Sequence, residues 1–386
     1  MTMLLDGLAV LLLMASLVGS VYAGLALWAV RRFAAAQFEP LEAGARPPVT
    51  ILKPLHGAEP RLAGNLRTFC IQAYPEVQVV FGVRRGDDPA VTIAQDLQNE
   101  IERRDRDAAS TALVVDPRIH GANGKVSNLI NMMEAARHDV LVIADSDMAA
   151  PRDYLEIIVP ELLATRGGAV TCLYVGQPID SPWARLGAQF INHEFLPSVL
   201  VARMVGADTG CFGATIALER ATLAKIGGFA RFKDLLADDH AIGAAVRALG
   251  RPVKLSKIIV TTTVAERDLK SLIDHELRWA RTIRSIAPIG YAGSAVTHPV
   301  PLALLGILFG GATIGSVGIL TIALAARILV SSAIDRTFGL GPRPWLAPLR
   351  DVLSLGILVA SFCGARIVWR DHSFQVDETG RLTHER

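Results

Sequence analysis

Apolar residues of this chain are concentrated at its two ends. Residues 7–30 include no charged side chain, a run long enough to cross a bilayer of about 30 Å at about 1.5 Å per residue. Arg31 and Arg32 follow at once, whereas a cleaved secretory signal carries its positive charge before the apolar run. We predict an uncleaved transmembrane anchor over residues 1–32, and the positive-inside rule places the chain after Arg31 in the cytoplasm.

The C-terminal end is also apolar. Residues 299–326 are uncharged, and a second apolar stretch covers residues 352–365 and continues past Arg366 to Trp369. The first stretch is either one tilted span or a short hairpin broken at Gly310-Gly311. We predict a C-terminal transmembrane region over residues 297–370 with two spans, followed by a cytoplasmic tail over residues 371–386.

Between these ends, short runs rich in β-branched residues alternate with helical patterns. The predicted strands are 49–53, 77–83, 112–115 and 140–144, and the predicted helices between them are 61–72, 90–103 and 125–137. This alternation predicts an α/β domain with a mostly parallel sheet and helices on both faces. Residues 47–168 are interpreted as a nucleotide-binding half.

The pattern is less regular in residues 169–290. The predicted elements there are strands at 169–175 and 214–218, and helices at 183–203, 239–249 and 269–284. We interpret this region as the half in which an acceptor and a catalytic base meet.

Charge and cysteine content exclude several classes of protein. The formal net charge is only +2, and Lys and Arg are not interleaved with aromatic residues, so we expect no nucleic-acid partner. The four cysteines lie far apart without CxxC spacing, which argues against a zinc site or a disulfide scaffold. Such cysteine usage is typical of a reducing compartment.

The acidic pair Asp145 and Asp147 directly follows the predicted strand Val-Leu-Val-Ile-Ala. Two carboxylates two residues apart at a strand end can both bind a hard cation, Mg²⁺ or Mn²⁺, that also holds a diphosphate. The alternative is a helix N-cap, formed by Ser146 or Asp147 ahead of a helix that begins near Pro151.

A second acidic pair, Asp238-Asp239, begins a predicted helix. The helix dipole alone favours acids there. However, the apolar residues just before the pair predict a partly buried carboxylate with raised proton affinity, as a general base requires. Both interpretations are compatible with the sequence.

Five further positions are candidates with an alternative each. Arg278 and Trp279 either form a lid that grips a diphosphate or belong to a helix at the membrane surface. Asp88 is a nucleotide ligand or a turn residue with an N-cap role. Lys125, at the end of Gly121-Ala-Asn-Gly-Lys125, contacts phosphate or ends an ordinary turn. His193 lies within a helical pattern and taken alone is typical of a structural histidine.

Taken in order, these segments resemble the ceramide glucosyltransferase family, which is glycosyltransferase family 21 with a GT-A fold. The resemblance covers about residues 49–288 and the flanking membrane segments. It is carried by residues 52–57, 86–90, 125–129, 144–147, 237–240 and 277–279. It implies an α/β GT-A domain flanked by transmembrane helices and a UDP-sugar-dependent lipid glycosyltransferase.

The resemblance also implies roles for single residues. Asp88 would bind the nucleotide and Asp145 the metal and diphosphate, while Arg278 and Trp279 would close over the diphosphate. Asp239 would be the catalytic base. His193 stands at the family's distance before Thr209-Gly210, which implies a role on the acceptor side, next to Trp279.

The chain departs from the family pattern at two positions. His275 stands where the (Q/R)xxRW motif has Gln or Arg, so the contact made by that residue is an open question. Asp147 supplies a second DxD aspartate that the animal members lack, which favours a conventional Mg²⁺ or Mn²⁺ site.

Within the family, the chain most resembles a bacterial branch associated with hopanoid biosynthesis. The segments that carry this likeness are 56–59, 120–123, 195–198 and 275–284. It implies transfer of N-acetylglucosamine or glucose from a UDP-sugar to bacteriohopanetetrol at the bacterial inner membrane. The alternatives are a ceramide glucosyltransferase, a processive polysaccharide synthase and a non-catalytic membrane scaffold.

Overall fold

The computed structural model describes residues 2–36, 45–104, 108–207, 210–341, 343–364, 366–369, 372–376 and 381–384 of the 386-residue chain. Thr209, which the sequence analysis related to His193, lies outside the described residues. The same holds for residues 377–380 of the predicted tail.

An eight-stranded mixed sheet forms the centre of the fold. Its strands are β1 (Val49–Pro54), β2 (Val77–Val83), β3 (Ser110–Val115), β4 (Val140–Ile143), β5 (Met148–Ala149), β6 (Ala169–Pro178), β7 (Ile216–Glu219) and β8 (Val253–Val264). Their order is β3-β2-β1-β4-β7-β6-β8-β5. The first four strands in this order are parallel, whereas β7 is antiparallel to both of its neighbours and β5 is antiparallel to β8. The two predicted halves therefore contribute to one continuous sheet.

Helices lie along the described chain from its first residue to residue 361. They are α1 (Thr2–Ala36), α2 (Leu62–Cys70), α3 (Pro89–Arg104), α4 (Gly124–Met132), α5 (Tyr154–Ala164), α6 (Pro182–Phe190), α7 (Leu196–Met204), α8 (Arg220–Lys225), α9 (Asp238–Ala248), α10 (Leu269–Ile286), α11 (Pro288–Gly293), α12 (Pro299–Gly310), α13 (Ile314–Phe338) and α14 (Ala347–Ser361). A π-helical turn, Ile191–Phe195, joins α6 to α7.

Alternate residues of the central strands pack on opposite faces of the sheet. Val49 and Ile51 of β1 belong to a core that includes α2, α3 and α5. Leu52 belongs to a second core that includes α4 and α9. Successive side chains of a strand point to opposite faces, so a strand covered on both sides is apolar at nearly every position. The predicted α/β architecture with helices on both faces is confirmed.

Most predicted elements of the sheet region occur, with shifted ends. β2 has its predicted bounds, whereas the helix predicted over 125–137 ends at Met132. Strand β8 was not predicted, although the β-branched run 258–264 is typical of a strand. The predicted "mostly parallel" sheet holds for four of the seven strand pairings, because β5 and β7 enter it in the opposite direction.

Two helices of the described chain, α1 and α13, are long and apolar enough to cross a membrane. The helical segments Pro288–Thr297 and Pro299–Gly310 also pass this test as a pair, although they meet at a bend of 71°. Residues 299–326 form a helical hairpin instead of one tilted span, because α12 ends at Gly310. Gly311 then has φ +83°, a conformation that favours glycine, and the side chain of Thr313 caps the start of α13.

The second predicted C-terminal span, over residues 352–369, is not formed. Helix α14 ends at Ser361, and Arg366–Trp369 is a strand, β9. It pairs with β10 (His372–Val376), which pairs with β11 (Leu382–His384). The backbone N–H of Leu382 donates to the carbonyl of Asp234 at 2.8 Å, so the predicted tail contacts the sheet domain. An apolar run of this length can form either a membrane span or shorter elements of a folded domain. Here it forms the end of a short helix and a strand.

Gly82 of β2 sets how closely α4 approaches the sheet. A Cβ at this position would lie 2.3 Å from Met132 Sδ and 2.5 Å from Asn128 Oδ1. We predict that Gly82→Ala lowers the free energy of unfolding by about 1–3 kcal/mol, because α4 must shift away from the strand. Thermal unfolding of the purified protein measures this as a lower Tm. Gly86→Ala is the matched control, since the nearest atom to its Cβ would be 3.9 Å away. An equal Tm for both variants would contradict the prediction.

Candidate active site

A cavity of about 1140 Å³ extends from the ends of the central strands to helices α10, α13 and α14. Seven of the eight residues selected from the sequence line it. They are Lys125, Asp145, Asp147, His193, Asp239, Arg278 and Trp279. Residues up to about 150 positions apart in the chain therefore share one site.

Lys125 lies between the two acidic pairs. The Asn123 side chain caps the start of α4 by accepting hydrogen bonds from the N–H groups of Lys125 and Val126. This cap places the Lys125 ammonium 2.7 Å from Asp145 Oδ1 and 3.4 Å from Asp238 Oδ2. Burial by itself would lower the pKa of Lys125, but the surrounding carboxylates raise it, so the ammonium stays charged.

The carboxylates of Asp145 and Asp147 follow β4 and both reach the cavity. Asp147 Oδ2 accepts a hydrogen bond from the Thr262 hydroxyl of β8 at 2.6 Å. Burial, followed by the charge of Asp145, raises the pKa of Asp147 to about 6. The N-cap alternative does not apply, because α5 begins only at Tyr154 and Asp153 precedes it.

This donor set fits a hard divalent cation. Two carboxylates from one short loop supply oxygen ligands, which Mg²⁺ and Mn²⁺ prefer. The raised pKa of Asp147 reflects burial and carboxylate repulsion that a bound cation would relieve. Asp145 and Asp147 are therefore the residues that would hold the metal.

Asp239 occupies the first turn of α9 and keeps both of its oxygens near backbone donors. Oδ2 accepts from the Gly213 N–H at 2.9 Å, and Oδ1 accepts from the His240 N–H at 2.8 Å. Burial, followed by the charge of Asp238, raises the pKa of Asp239 to about 6. Asp239 is thus a fixed, half-buried carboxylate whose proton affinity exceeds that of an ordinary aspartate.

Gly213 connects the two acidic pairs, and the sequence analysis missed it. Its N–H donates to Asp239, and its carbonyl accepts from the Asp145 N–H at 3.2 Å. A Cβ at Gly213 would lie 2.4 Å from Asp145 Oδ2, so no other residue fits this position without displacement. A glycine in a connecting segment carries no distinct sequence signal, because only the fold shows what approaches it.

His193 lies in the π-helical turn and is 2% exposed. Its Nδ1 is 2.6 Å from Gln189 Oε1, and its Nε2 is 2.7 Å from Asp335 Oδ1 on α13. Both ring nitrogens therefore contact protein side chains. The acceptor-side role of His193 stays a prediction, and this geometry favours a positioning function in the cavity wall.

Arg278 and Trp279 reach the cavity from α10, which begins with a capping box formed by Asp268 and Ser271. The Trp279 ring packs on the ring of His275 with centroids 4.3 Å apart. His275 Nδ1 in turn lies 2.6 Å from Glu266 Oε1. At the position where the motif has Gln or Arg, His275 thus holds the tryptophan against the cavity wall.

Asp88 is the predicted site residue that the cavity lining does not include. Its carboxylate accepts hydrogen bonds from the N–H groups of Gly57 at 2.9 and 3.1 Å and of Ala90 at 2.9 Å. His56 Nδ1 lies 3.2 Å from Oδ2. Asp88 therefore ties the loop after β1 to the start of α3, as the alternative of a turn and N-cap requires. Its nucleotide-binding role stays a prediction.

We predict that Lys125→Met destabilises the fold by about 3 kcal/mol at pH 8, because it leaves the buried Asp238 and the half-buried Asp145 without their cation. The loss should shrink as the pH falls toward 5. The pKa of Asp239 is already raised to about 6 and rises further without Lys125, which lowers it, so protonation as the pH falls favours the native state of the variant. Tm measured across this pH range tests the prediction.

Lys225→Met on α8 is the matched control, since Lys225 is exposed and lies outside the cavity. A loss of Tm in Lys125→Met that is independent of pH would contradict the electrostatic explanation.

Comparison with known proteins places the chain in a family. The profile of Glycosyl transferase family 21 matches residues 11–382. Ceramide glucosyltransferase 1 of Caenorhabditis elegans is 22% identical over 348 residues, which are 87% of this chain and 73% of that protein. Ceramide glucosyltransferase 3 of the same organism is 21% identical over 245 residues, which are 63% of this chain and 52% of that protein. The chain thus matches about half the length of the second relative.

A solved structure supports the fold. The mannosyltransferase PcManGT from Pyrobaculum calidifontis, in complex with GDP-Man and Mn²⁺, has a TM-score of 0.51 and 20% identity, and the match covers 93% of this chain and 98% of that one. This likeness confirms the predicted GT-A type of fold. Since the family profile matches nearly the whole chain, the protein belongs to glycosyl transferase family 21, the ceramide glucosyltransferase-like glycosyltransferases.

Proposed function

We propose that the protein transfers a single sugar, N-acetylglucosamine or glucose, from a UDP-sugar to a hydroxyl of a membrane lipid with inversion. The favoured acceptor is a hopanoid polyol, bacteriohopanetetrol. The observation that carries the proposal is one cavity in which Asp145, Asp147 and Asp239 face helices α10 and α13. The residues proposed for the diphosphate, the proposed base Asp239 and the candidate span α13 thus line the same cavity.

The donor binds at the strand ends. Asp145 and Asp147 would hold Mg²⁺ or Mn²⁺, and when bound the metal would neutralise charge on the diphosphate. Lys125 supplies a fixed positive charge in the same wall. Arg278 offers a planar fork suited to phosphate oxygens. Asp88 contributes to the nucleotide side by fixing the loop after β1.

Asp239 acts as the general base. It accepts the proton of the lipid hydroxyl as the oxygen attacks the anomeric carbon and the bond to the diphosphate breaks. A carboxylate with a pKa of about 6 is ionised near pH 7 yet more basic than an ordinary aspartate. One displacement inverts the anomeric centre and leaves a β-linked product.

The acceptor enters from the bilayer. Trp279 and His193 line the part of the cavity next to α10 and α13, and α13 is one of the two candidate spans. We place the protein in the bacterial inner membrane with its catalytic domain in the cytoplasm, because Arg31 and Arg32 directly follow the first span. Ceramide is the second candidate acceptor, which the names of the relatives favour.

We expect Asp239→Asn to lower kcat by about 10²–10⁴-fold, since general-base catalysis contributes about that much. Binding of UDP to the purified variant, measured by calorimetry, should stay unchanged. Asp139→Asn is the matched control, because the Asp139 side chain is 95% exposed.

The pH profile of the native enzyme gives a second test of the base. The rate of the native enzyme should fall as the pH drops through about 6, where Asp239 and Asp147 gain their protons, and stay level above it. Full activity of Asp239→Asn would contradict the assignment of the base.

The acceptor and donor are tested with purified protein in phosphatidylcholine nanodiscs. Each disc carries either bacteriohopanetetrol or ceramide, and UDP-N-acetylglucosamine or UDP-glucose is added with Mn²⁺. Mass spectrometry should detect one added sugar on bacteriohopanetetrol. Transfer to ceramide alone would overturn the hopanoid assignment, and products with many sugars would indicate a processive synthase. Absence of transfer to either lipid would contradict the proposed function.

A further inference from the structure

We propose that a cluster of charged side chains in the cavity wall beside α13 binds the uncharged, hydroxyl-bearing head group of the lipid acceptor. The head-group cluster consists of Glu194, His298, Arg327, Asp351 and Ser354. This inference rests on the proposed function, because it names the chemistry that the acceptor must present to the site.

The head-group cluster belongs to the cavity that holds Asp239. Glu194, His298, Arg327 and Ser354 line it, whereas Asp351 lies behind them and is fully buried. Glu194 comes from the π-helical turn, directly after His193. Such turns in helices frequently occur at functional sites because they change the direction of side chains.

Arg327 has donors that the protein does not use. Its side chain is only 7% exposed, with Nε 3.2 Å from Asp351 Oδ1 and Nη2 3.5 Å from Glu194 Oε1. Neither nitrogen makes a hydrogen bond of acceptable geometry to these oxygens. Buried donors without a hydrogen bond are costly, so a guanidinium that lines a cavity in this state favours an oxygen ligand.

Acceptors lie next to these donors. Glu194 Oε1 accepts a hydrogen bond from the Ser354 hydroxyl at 2.8 Å. Asp351 Oδ2 accepts from the Val300 N–H at 2.9 Å, and His298 Nδ1 lies 3.3 Å from Asp351 Oδ1. A hydroxyl is an uncharged group that can both accept from Arg327 and donate to a carboxylate in this wall.

The charges of the cluster and its neighbours exclude an anionic head group. Arg350 forms a bidentate pair with Glu276 at 2.7 and 2.6 Å and lies 3.5 Å from Glu194. Two arginines, Arg327 and Arg350, thus face three carboxylates, those of Glu194, Glu276 and Asp351. Even a charged imidazole on His298 would only balance the third carboxylate, so no positive charge is left over for a phosphate. A polyol or a hydroxylated amide therefore fits better than a phospholipid head.

A metal ion is the competing occupant. Ligand atoms of Glu194, His298 and Asp351 all lie within 4.8 Å of one another. However, Arg327 forms ion pairs with both carboxylates, and its positive charge would repel a cation placed between them. At the Asp145–Asp147 pair, by contrast, Lys125 forms its ion pair with Asp145. The arginine therefore favours the hydroxyl ligand.

The test uses full-length protein in phosphatidylcholine nanodiscs with bacteriohopanetetrol as the probe and UDP-N-acetylglucosamine as the donor. Glu194→Gln and Arg327→Gln should each raise the KM for the lipid by about tenfold or more, the effect of losing one charge-assisted hydrogen bond. The dissociation constant of UDP should stay the same. Arg336→Gln is the matched control, because Arg336 is exposed on the same helix.

Inhibition by an anionic lipid distinguishes head-group binding from a merely structural role, because the two variants change the charge of the cluster in opposite directions. Discs with equal parts of phosphatidylcholine and phosphatidylglycerol add an anionic lipid with free hydroxyls as a competitor. Glu194→Gln removes a negative charge from the cluster, so phosphatidylglycerol should inhibit this variant. Arg327→Gln removes a positive charge, and inhibition should be absent. Equal inhibition of both variants would overturn the inference.

Folding is controlled by Tm and size-exclusion chromatography. If either charge variant fails to fold, Ser354→Ala replaces it, and its KM for the lipid should rise by about threefold, because Glu194 loses the hydrogen bond that orients its carboxylate. If the variants fold and their KM for the lipid is unchanged, the inference is wrong. The proposed function still holds in that case, provided that the native protein transfers the sugar. Absence of transfer by the native protein overturns both. A second equivalent of Mn²⁺ in calorimetry, beyond the one assigned to Asp145 and Asp147, that is lost in His298→Gln would identify a metal site instead.

Discussion

The active site depends on one interaction, the contact of the buried Lys125 ammonium with carboxylates from both acidic pairs. Asp145 and Asp238 lie within 3.4 Å of it, and Asp239 adds to the field that keeps it charged. Buried like charges repel strongly in a medium of low dielectric constant, so these acids could not converge without a cation. Because Gly213 links Asp145 to Asp239 through its backbone, the charge balance and the geometry of the site are fixed together.

The membrane helices and the catalytic domain form a single packed unit at the cavity. Asp335 and Arg327 on α13 contact His193 and Glu194 of the π-helical turn. Charged residues in an apolar helix are expensive in lipid, so they face protein or a polar cavity. Helix α13 therefore directs Arg327 into the cavity and Asp335 against His193.

Much of this arrangement was predictable. The carboxyl ends of parallel strands meet at one edge of a sheet, so Asp145 and Asp147 were expected at a ligand site, and they line the cavity. Length and apolarity predicted α1 well. The same criteria failed for residues 352–369, because an apolar run does not distinguish a span from a short helix followed by a strand. The antiparallel directions of β5 and β7 were not predicted, because the direction of a strand depends on chain connections that a local sequence pattern does not encode.

The sequence by itself determined the family resemblance, the N-terminal membrane helix and the identity of the acidic and Arg-Trp segments, since each is a property of neighbouring residues. The tertiary structure alone decided which of them meet. His193 contacts Asp335 across 142 positions, and Ser354 contacts Glu194 across 160. The fold also leaves Asp88 outside the cavity lining and packs the ring of His275 on that of Trp279. Spacing along the chain does not specify the direction of a side chain, and these contacts depend on that direction and on the path of the folded backbone.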